Sequence, residues 1–182
     1  DSTNLWGKRA WKEEGAKHGE LFVAEYQSAG RGRFTRRWSA PPDSAITMSI
    51  LICPEFSPMK APMMTLVMGL SVAQAVADLG LDVGIKWPND VVVSRKKICG
   101  ILTEMTMKQD KIGCAVIGVG INVNMDSFPE ETADKATSLY LESGHVFDRA
   151  EVVGLVMKHF EENYERFVQT EDLSGMKTDY EK

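Results

Sequence analysis

The pattern of apolar and polar residues predicts a chain in which strands outnumber helices. Stretches rich in β-branched residues or bounded by turn residues are predicted as strands, and they cover 21–24, 45–52, 83–87, 90–94, 97–106 and 111–123. Capping residues at 2–4 predict a first helix over 2–17. Apolar residues recur at helical spacing in two further segments, which are 57–80 and 148–168. Several strands follow one another directly, so the regular strand–helix alternation of a doubly wound fold is missing. The pattern therefore predicts an α+β fold, with a mixed, largely antiparallel sheet and helices packed mainly on one side.

Two segments have no periodic pattern. Residues 124–135 combine acidic residues with Pro129, which predicts a mobile loop. The last dozen residues are polar and are predicted to fray. No apolar run approaches the roughly 18 residues that a membrane-spanning helix needs, so we expect a soluble chain without a membrane partner.

Composition narrows the function classes. The chain has 182 residues, of which 43% are hydrophobic and 26% are charged, and these values are ordinary for one globular domain. The formal net charge of −5 argues against general nucleic-acid binding. Cys53, Cys99 and Cys114 are widely spaced and predict small buried hydrophobic residues in a reducing, cytoplasmic compartment. Three scattered histidines do not predict a metal site made of protein ligands alone.

An arginine-rich loop, defined as residues 30–38, is the first candidate binding element. Its four arginines are Arg31, Arg33, Arg36 and Arg37. Gly30 and Gly32 let the backbone approach an anion closely, and guanidinium groups pair with phosphate oxygens through two hydrogen bonds. Trp38 adds an aromatic face on which a base can stack. The loop alone fits a site for a phosphate-bearing ligand, a local nucleic-acid patch, or a solvated basic turn.

A second candidate element, residues 86–90, places polar groups at a proline-fixed break between two strands. Polar groups crowded at strand ends beside a rigid turn commonly line a site. Asp90 has the chemistry to hold a magnesium ion that carries substrate phosphates, and the alternative for Asp90 is a turn-capping role. Lys97 lies where the next strand becomes strongly apolar, so it is expected to point inward. Gly118 and Gly120 form flat backbone positions, but no third glycine or helix follows to support a dinucleotide site.

These motifs, in this order, resemble the catalytic domain of biotin protein ligases. The similarity covers nearly the whole chain, through segments 1–4, 25–38, 86–90, 96–104 and 118–122. Any one motif is weak evidence, whereas five in the same order and at plausible spacing are specific. The resemblance implies the α+β fold shared by class II aminoacyl-tRNA synthetases and biotin ligases. It also implies a ligase that joins biotin to ATP as biotinyl-5′-AMP and passes the biotinyl group to a lysine of a biotin carboxyl carrier domain of a carboxylase.

The resemblance also implies roles for individual residues. The biotin-binding residues would be Ser2, Thr3, Asn4, Gln27, Arg31, Gly32, Arg33, Lys97 and Gly100. The ATP-binding residues would be Arg31, Arg36, Trp38, Lys86, Asn89 and Asn122, with Mg²⁺ held by Asp90. Arg33 and Lys97 would be catalytic, because fixed cations spread the negative charge when a carboxylate attacks the α-phosphate. The loop 30–38 and the segment 124–135 would close over the adenylate from two sides and exclude water.

The resemblance has limits. Members of the family often have a glycine where this chain has Thr35, and a β-branched residue is strained at positive φ. We expect a single catalytic domain over residues 1–182, without the small carboxyl-terminal β-barrel or the amino-terminal winged-helix domain of some members. A homodimer is an open prediction, and no nucleic-acid partner is expected. Three alternatives are a lipoate or other acyl-protein ligase, a non-enzymatic sensor of biotin or its adenylate, and a nucleic-acid-binding module.

Overall fold

The computed structural model describes residues 1–34 and 36–180, and within these ranges six strands form one sheet. The strands are β1 Leu21–Ala24, β2 Ala45–Ile52, β3 Val83–Lys86, β4 Asp90–Val93, β5 Lys96–Lys108 and β6 Lys111–Asn122. Their order across the sheet is β1-β2-β6-β5-β4-β3, and each pair of neighbours is antiparallel. A parallel contact exists as an isolated bridge between Lys97 and Ala136. The predicted α+β class is confirmed, as is a largely antiparallel sheet.

Short polar side chains cap the beginnings of several helices. The helices are α1 Thr3–Arg9, α2 Met63–Asp78, α3 Leu139–Ser143, α4 Arg149–Thr170 and α5 Lys177–Tyr180. Ser2 caps α1 by accepting a hydrogen bond from the Leu5 amide, and Asp148 caps α4 in the same way through the Ala150 amide. A wider π-helical turn, Ala10–Glu14, extends α1 to Gly15, whose φ of 74° ends the helix.

The sheet buries both of its faces, but unequally. Alternate residues of a strand point to opposite faces, and Ile50, Ile52 and Ile117 belong to a large core formed with α2 and α4. Leu51 and Val116 belong to a small separate cluster beneath α1 and its extension. Helices therefore lie mainly on one side, as predicted, while α1 alone among the longer helices covers part of the other face.

One sequence-based expectation about the chain's later part is wrong over the residues that the structure describes. Residues 171–180 do not fray, because Met176 is fully buried and the Tyr180 hydroxyl donates a 2.6 Å hydrogen bond to the Leu66 carbonyl; positions 181 and 182, which the same prediction covered, lie outside the described residues. Helix α3 was not predicted. The segment 124–135 has no regular structure, as expected, but its end is fixed by a 2.8 Å hydrogen bond from the Lys97 amide to the Lys135 carbonyl.

The expectation that no segment is apolar enough to cross a membrane also needs correction. By length and composition alone, Pro58–Asp78 meets that criterion, with a mean hydropathy of 1.3. In the fold, 61% of this apolar window is buried, and Met64, Val67 and Met68 pack in the core between the sheet and α4. The apolar composition of α2 is therefore explained by burial within the protein.

Candidate active site

A row of directly paired residues crosses all of the strands and defines one end of the sheet. Register pairs join Ala24 to Thr47, Thr47 to Gly120, Gly120 to Gly100, Gly100 to Asp90, and Asp90 to Lys86. Paired residues in an antiparallel sheet point to the same face. This face is the one that α1 covers. The row therefore places Asp90 and Lys86 on the same face of the sheet as Gly100 and Gly120.

A cavity of about 350 Å³ lies over this row. Its walls come from the start of α1, from loop 30–38 and from the ends of the central strands. Its polar and charged lining residues are Ser2, Thr3, Asn4, Gln27, Arg31, Arg33, Arg36, Arg37, Lys86, Asn89, Asp90 and Lys97, with Trp38 and Gly32, Gly100, Gly118 and Gly120 beside them. Six arginine or lysine residues line this cavity, and their charges make it attractive to anions.

Three glycines form the floor of the cavity, and a side chain lies close above each of them. A Cβ atom on Gly118 would lie 2.2 Å from Asn4 Oδ1, and one on Gly120 would lie 2.3 Å from the Trp38 ring. A Cβ atom on Gly100 would lie 2.9 Å from Lys97 Nζ. The two flat positions noted in the sequence, Gly118 and Gly120, are thus where Asn4 and Trp38 rest against the sheet, and Gly100 provides a third such position for Lys97.

The beginning of α1 forms one wall through a hydrogen-bond network. The Gln27 side-chain carbonyl accepts from the Thr3 amide at 2.8 Å and from the Thr3 hydroxyl at 3.1 Å. Ser49 Oγ lies 2.7 Å from Thr3 Oγ1 and 2.6 Å from Asn4 Oδ1. Ser2, Thr3 and Asn4 are each buried. These contacts hold short polar side chains in fixed positions, as recognition of a small polar head group requires.

Glu104 organises the charges behind this wall, although sequence reasoning did not single it out. Its carboxylate pairs with Lys8 at 2.8 Å and with Arg31 at 3.2 Å, and accepts a 2.8 Å hydrogen bond from Asn4 Nδ2. Burial alone would raise the pKa of Glu104, but the hydrogen bonds from Lys8 and Asn4 outweigh it and lower that pKa below its ordinary value. The sequence signal that could have identified Glu104 is the two-residue spacing of a strand, because Glu104 follows Gly100 and Leu102 at every second position on the same face.

Loop 30–38 closes on itself like a short hairpin. The Trp38 amide donates to the Gly30 carbonyl at 3.1 Å, and the Gly32 amide donates to the Arg36 carbonyl at 2.8 Å. A Cβ atom on Gly30 would lie 2.2 Å from the Trp38 carbonyl oxygen, so this closure requires glycine. The positive φ falls on Phe34, at 52°. Thr35, where strain was expected, lies outside the described residues.

Two cationic side chains stand at the boundary between the loop and the sheet. Arg33 donates a 2.9 Å hydrogen bond to Asn89 Oδ1, and no acidic side chain in residues 1–34 and 36–180 forms an ion pair with it. Lys97 Nζ lies 2.7 Å from Asp90 Oδ1. The prediction that Lys97 points inward agrees with its place in the cavity lining. Because Arg33 is hydrogen-bonded to the neutral amide of Asn89, its positive charge stays available to a bound anion.

The structure gathers the predicted site residues with one exception. Asn122 is buried, does not line the cavity, and donates a 3.0 Å hydrogen bond to the Thr137 carbonyl. Its predicted contact with ATP therefore has no support from its position. The lining residues to which sequence reasoning gave no individual binding role are Phe34, Arg37, Met48, Ile101, Leu102, Gly118, Val119 and Gly120.

The cysteines contribute no chemistry to the cavity. All three are free thiols, and burial raises the pKa of Cys53, Cys99 and Cys114. Raised pKa values keep thiols protonated and poorly nucleophilic. Within the described part of the chain, no group of three or more histidine, cysteine, aspartate or glutamate side chains is arranged to hold a metal ion.

Comparison with known proteins assigns the chain that forms this cavity to a family. Residues 1–122 match the sequence profile of the biotin/lipoate A/B protein ligase family. The chain belongs to this family. The matched range contains every residue of the cavity lining, including Arg33, Lys97 and the three glycines of the floor.

Individual members of the biotin/lipoate ligase family are similar over most of this chain. The bifunctional ligase/repressor BirA of Bacillus spizizenii is 42% identical over 156 residues, which are 84% of this chain and 48% of that protein. The biotin–[acetyl-CoA-carboxylase] ligase of Mycobacterium tuberculosis is 38% identical over 126 residues, which are 66% of this chain and 45% of that protein. The chain thus spans about half the length of the curated relatives it matches.

A solved family structure has the same fold. The biotin protein ligase of Aquifex aeolicus, in complex with biotin and ATP, aligns with a TM-score of 0.78 and 38% sequence identity. The alignment covers 93% of this chain and 68% of the Aquifex chain.

Proposed function

We propose that this chain is the catalytic domain of a biotin–protein ligase, which activates biotin with ATP and transfers it to a lysine of a biotin carboxyl carrier domain. The observation that carries the proposal is the cavity in which a buried polar wall, an arginine loop and a lysine–aspartate pair meet over three glycines. Membership of the biotin/lipoate ligase family supports it. So do relatives named as biotin ligases and a structural neighbour in complex with biotin and ATP.

The wall formed by α1 would receive the head group of biotin. That head group carries a urea with one carbonyl acceptor and two N–H donors. Thr3, Asn4 and Gln27 offer hydroxyl and amide groups, which both donate and accept hydrogen bonds, and Ser2 is buried beside them. The flat floor at Gly118 would accommodate the apolar part of the ring system.

Arg33 and Lys97 would carry the first reaction. A carboxylate oxygen of biotin attacks the α-phosphorus of ATP, the bond to the β-phosphate breaks, and pyrophosphate leaves. Negative charge gathers on the α-phosphate oxygens in the transition state, so fixed cations there lower the barrier. Lys97 is held against the sheet over Gly100, and Arg33 is held by Asn89, so both cations are oriented before substrates bind.

The remaining lining residues would bind the nucleotide. Arg36 and Lys86 are exposed at the cavity edge and would pair with phosphates. The indole N–H of Trp38 is buried without a hydrogen-bond partner among the described residues. A buried donor left unpaired costs about 1–3 kcal/mol, and an acceptor on a bound adenylate would remove that cost.

Mg²⁺ fits one residue of this site. Asp90 is the one carboxylate among the described lining residues of the cavity. Lys97 and the Asn89 amide both contact its Oδ1 atom, so Oδ2 would be the metal ligand. Mg²⁺ commonly takes one or two protein carboxylates together with substrate phosphates and water. When bound, the ion would neutralise phosphate charge and make pyrophosphate a better leaving group.

The setting of the protein is also a proposal. Three free cysteines favour a reducing compartment, and we infer a cytoplasmic location. A homodimer stays a prediction. The sedimentation behaviour of the chain at several concentrations tests it.

Biotin-dependent pyrophosphate release tests the proposed function. The chain should release pyrophosphate from Mg²⁺-ATP when biotin is added, and lipoate at the same concentration should give little. A carrier domain should then acquire one biotinyl group on its lysine. Release driven by lipoate and not by biotin would instead identify a lipoate or acyl-protein ligase. Adenylate that forms but never reaches a carrier would favour a sensor.

A further inference from the structure

A single carboxylate, that of Glu104 on β5, contacts both the polar wall at the start of α1 and loop 30–38. Its Oε2 atom accepts a 2.8 Å hydrogen bond from Asn4 Nδ2. Its Oε1 atom lies 2.8 Å from Lys8 Nζ and 3.2 Å from Arg31 Nη1. Asn4 and Arg31 line the cavity, whereas Glu104 and Lys8 do not. Glu104 therefore acts on a bound ligand through the residues that it holds.

Glu104 helps to decide which way the Asn4 amide faces. Asn4 Nδ2 donates to the Leu102 carbonyl at 3.2 Å and to the Glu104 carboxylate. A carbonyl and an ionised carboxylate only accept hydrogen bonds, so the amide nitrogen lies on this side and Oδ1 on the other. The Oδ1 atom lies over Gly118 on the cavity floor. The wall thus presents a hydrogen-bond acceptor to an N–H group of a ligand.

The second oxygen of Glu104 ties the arginine loop to the sheet. Arg31 forms an antiparallel bridge with Arg37 across the base of loop 30–38. The ion pair between Arg31 and Glu104 therefore fixes one side of this hairpin to β5. The Glu104 side chain is 16% exposed, and water and salt screen such a shielded charge less than an exposed one.

We propose that Glu104 is a positioning residue, which holds the Asn4 amide and Arg31 in their binding geometry and so joins the biotin wall and the arginine loop into one unit. This inference rests on the proposed function and adds to it a residue that does not line the cavity. Glu104 touches no substrate, so its effect falls on the affinity for biotin and on the retention of biotinyl-5′-AMP. The chemical step belongs to Arg33 and Lys97.

The charge balance of this cluster explains why the carboxylate is needed. Lys8 and Arg31 are both cations and both approach the same Glu104 oxygen. Without the carboxylate these two cations would face each other and repel. The Arg31 side chain is the more exposed of the two, at 45% against 27% for Lys8. Arg31 is therefore the one that would move away, and the loop would lose its tie to β5.

Glu104→Gln and Lys8→Met form a matched pair, because each breaks the same 2.8 Å ion pair. Glu104→Gln also removes the charge that holds Arg31, which Lys8→Met leaves in place. The double variant Glu104→Gln/Lys8→Met removes the carboxylate together with its nearest cation. It leaves less unbalanced charge, so it tests the inference even if Glu104→Gln alone does not fold.

Four measurements are made on the parent and on each variant. Chemical denaturation gives the folded fraction, and calorimetric titration gives the Kd for biotin. Rapid quenching gives the rate of adenylate formation at saturating biotin and Mg²⁺-ATP. Displacement of labelled biotinyl-5′-AMP by an unlabelled excess gives its dissociation rate. A purely structural role would lower the folded fraction without changing the Kd of the folded molecules.

We expect Glu104→Gln and the double variant to bind biotin about tenfold or more weakly, per folded molecule, and to release biotinyl-5′-AMP about tenfold or more faster. Their rate of adenylate formation at saturation should stay within about threefold of the parent rate, because the lost contacts support binding and not the chemical step. Lys8→Met should stay within about threefold of the parent in all three functional measurements.

Biotin affinity and adenylate release at the parent values in folded Glu104→Gln, or in the double variant, would overturn this role. Equal losses in Lys8→Met would also overturn it, because they would indicate that the ion pair acts only through the stability of α1. A loss confined to the rate of adenylate formation would make Glu104 part of the chemical step instead. A folded parent that neither binds biotin nor releases pyrophosphate with it would refute the proposed function itself, and the role of Glu104 with it.

Discussion

Asn4 and Gly118 meet so closely that no other residue type fits opposite Asn4. The Oδ1 atom of Asn4 occupies the space that a Cβ atom on Gly118 would need, at 2.2 Å. Asn4 is also tied to Leu102 and Glu104 on the neighbouring strand. The start of α1 is thus fixed to the sheet by one amide side chain, and the shape of the proposed biotin wall depends on this contact.

Gly118→Ala is expected to displace Asn4 and weaken biotin binding. The new methyl group must push the amide out of its hydrogen bonds, which we expect to cost about 1–3 kcal/mol of folding free energy. Calorimetric titration should show biotin affinity lowered by about tenfold or more, which corresponds to about 1.4 kcal/mol. Chemical denaturation measures the stability change.

Gly154→Ala is the matched control for that substitution. Gly154 lies within α4, and no atom lies near enough to contact an added Cβ. Alanine in a helix interior is more favourable than glycine by about 0.5–1 kcal/mol, so this variant should be slightly more stable and bind biotin as the parent does. Unchanged biotin affinity in Gly118→Ala would contradict the assignment of the α1 wall.

Glu104→Gln is expected to remove a pH-dependent part of the protein's stability. The folded protein lowers the pKa of Glu104. The stabilisation of the folded state by the ionised Glu104 carboxylate is therefore fully present above the unfolded pKa, at about 4.3, and is lost as the pH falls through the folded pKa. The stability difference between parent and Glu104→Gln should therefore be largest near neutral pH and shrink below about pH 4. Urea denaturation at several pH values measures it. A difference that stays constant across this range would refute the role of the ionised carboxylate.

Sequence reasoning predicted the strands well and the relations between distant charges poorly. Bounds such as Ala45–Ile52 follow from local composition, which β-branched residues decide. The inward direction of Lys97 followed from the apolar strand beside it. The ion pairs of Glu104 depend instead on Lys8 and Arg31, which lie 96 and 73 positions away by their numbers in the chain. No local pattern encodes such a pairing.

The end of the chain illustrates a different limit. Composition alone predicted fraying, but a single apolar residue, Met176, anchors the segment by full burial. Asn122 was assigned to ATP by resemblance, and its side chain is directed to the Thr137 carbonyl. In both cases the tertiary neighbour decides the role of the residue, and that neighbour is not visible in the local sequence.

Met176→Ala tests the packing of this terminal segment. Removing a fully buried methionine side chain typically costs about 2–5 kcal/mol, so the midpoint of thermal unfolding should fall by several degrees. Met59→Ala is the control, since Met59 is 88% exposed and its loss should leave the midpoint nearly unchanged. Equal midpoints for the two variants would mean that the segment is not packed in solution.

The central claim is that biotin is activated in the cavity beneath α1, with Lys97 as a fixed cation over Gly100. The most direct measurement is the amount of biotinyl-5′-AMP formed when the chain is mixed with biotin and Mg²⁺-ATP, for the parent and for Lys97→Ala. The account predicts that the parent accumulates about one equivalent of the adenylate and that Lys97→Ala forms it at least about a hundredfold more slowly, as expected when a transition-state cation is lost. Adenylate formation at the parent rate in Lys97→Ala, or none in a folded parent, would contradict the account.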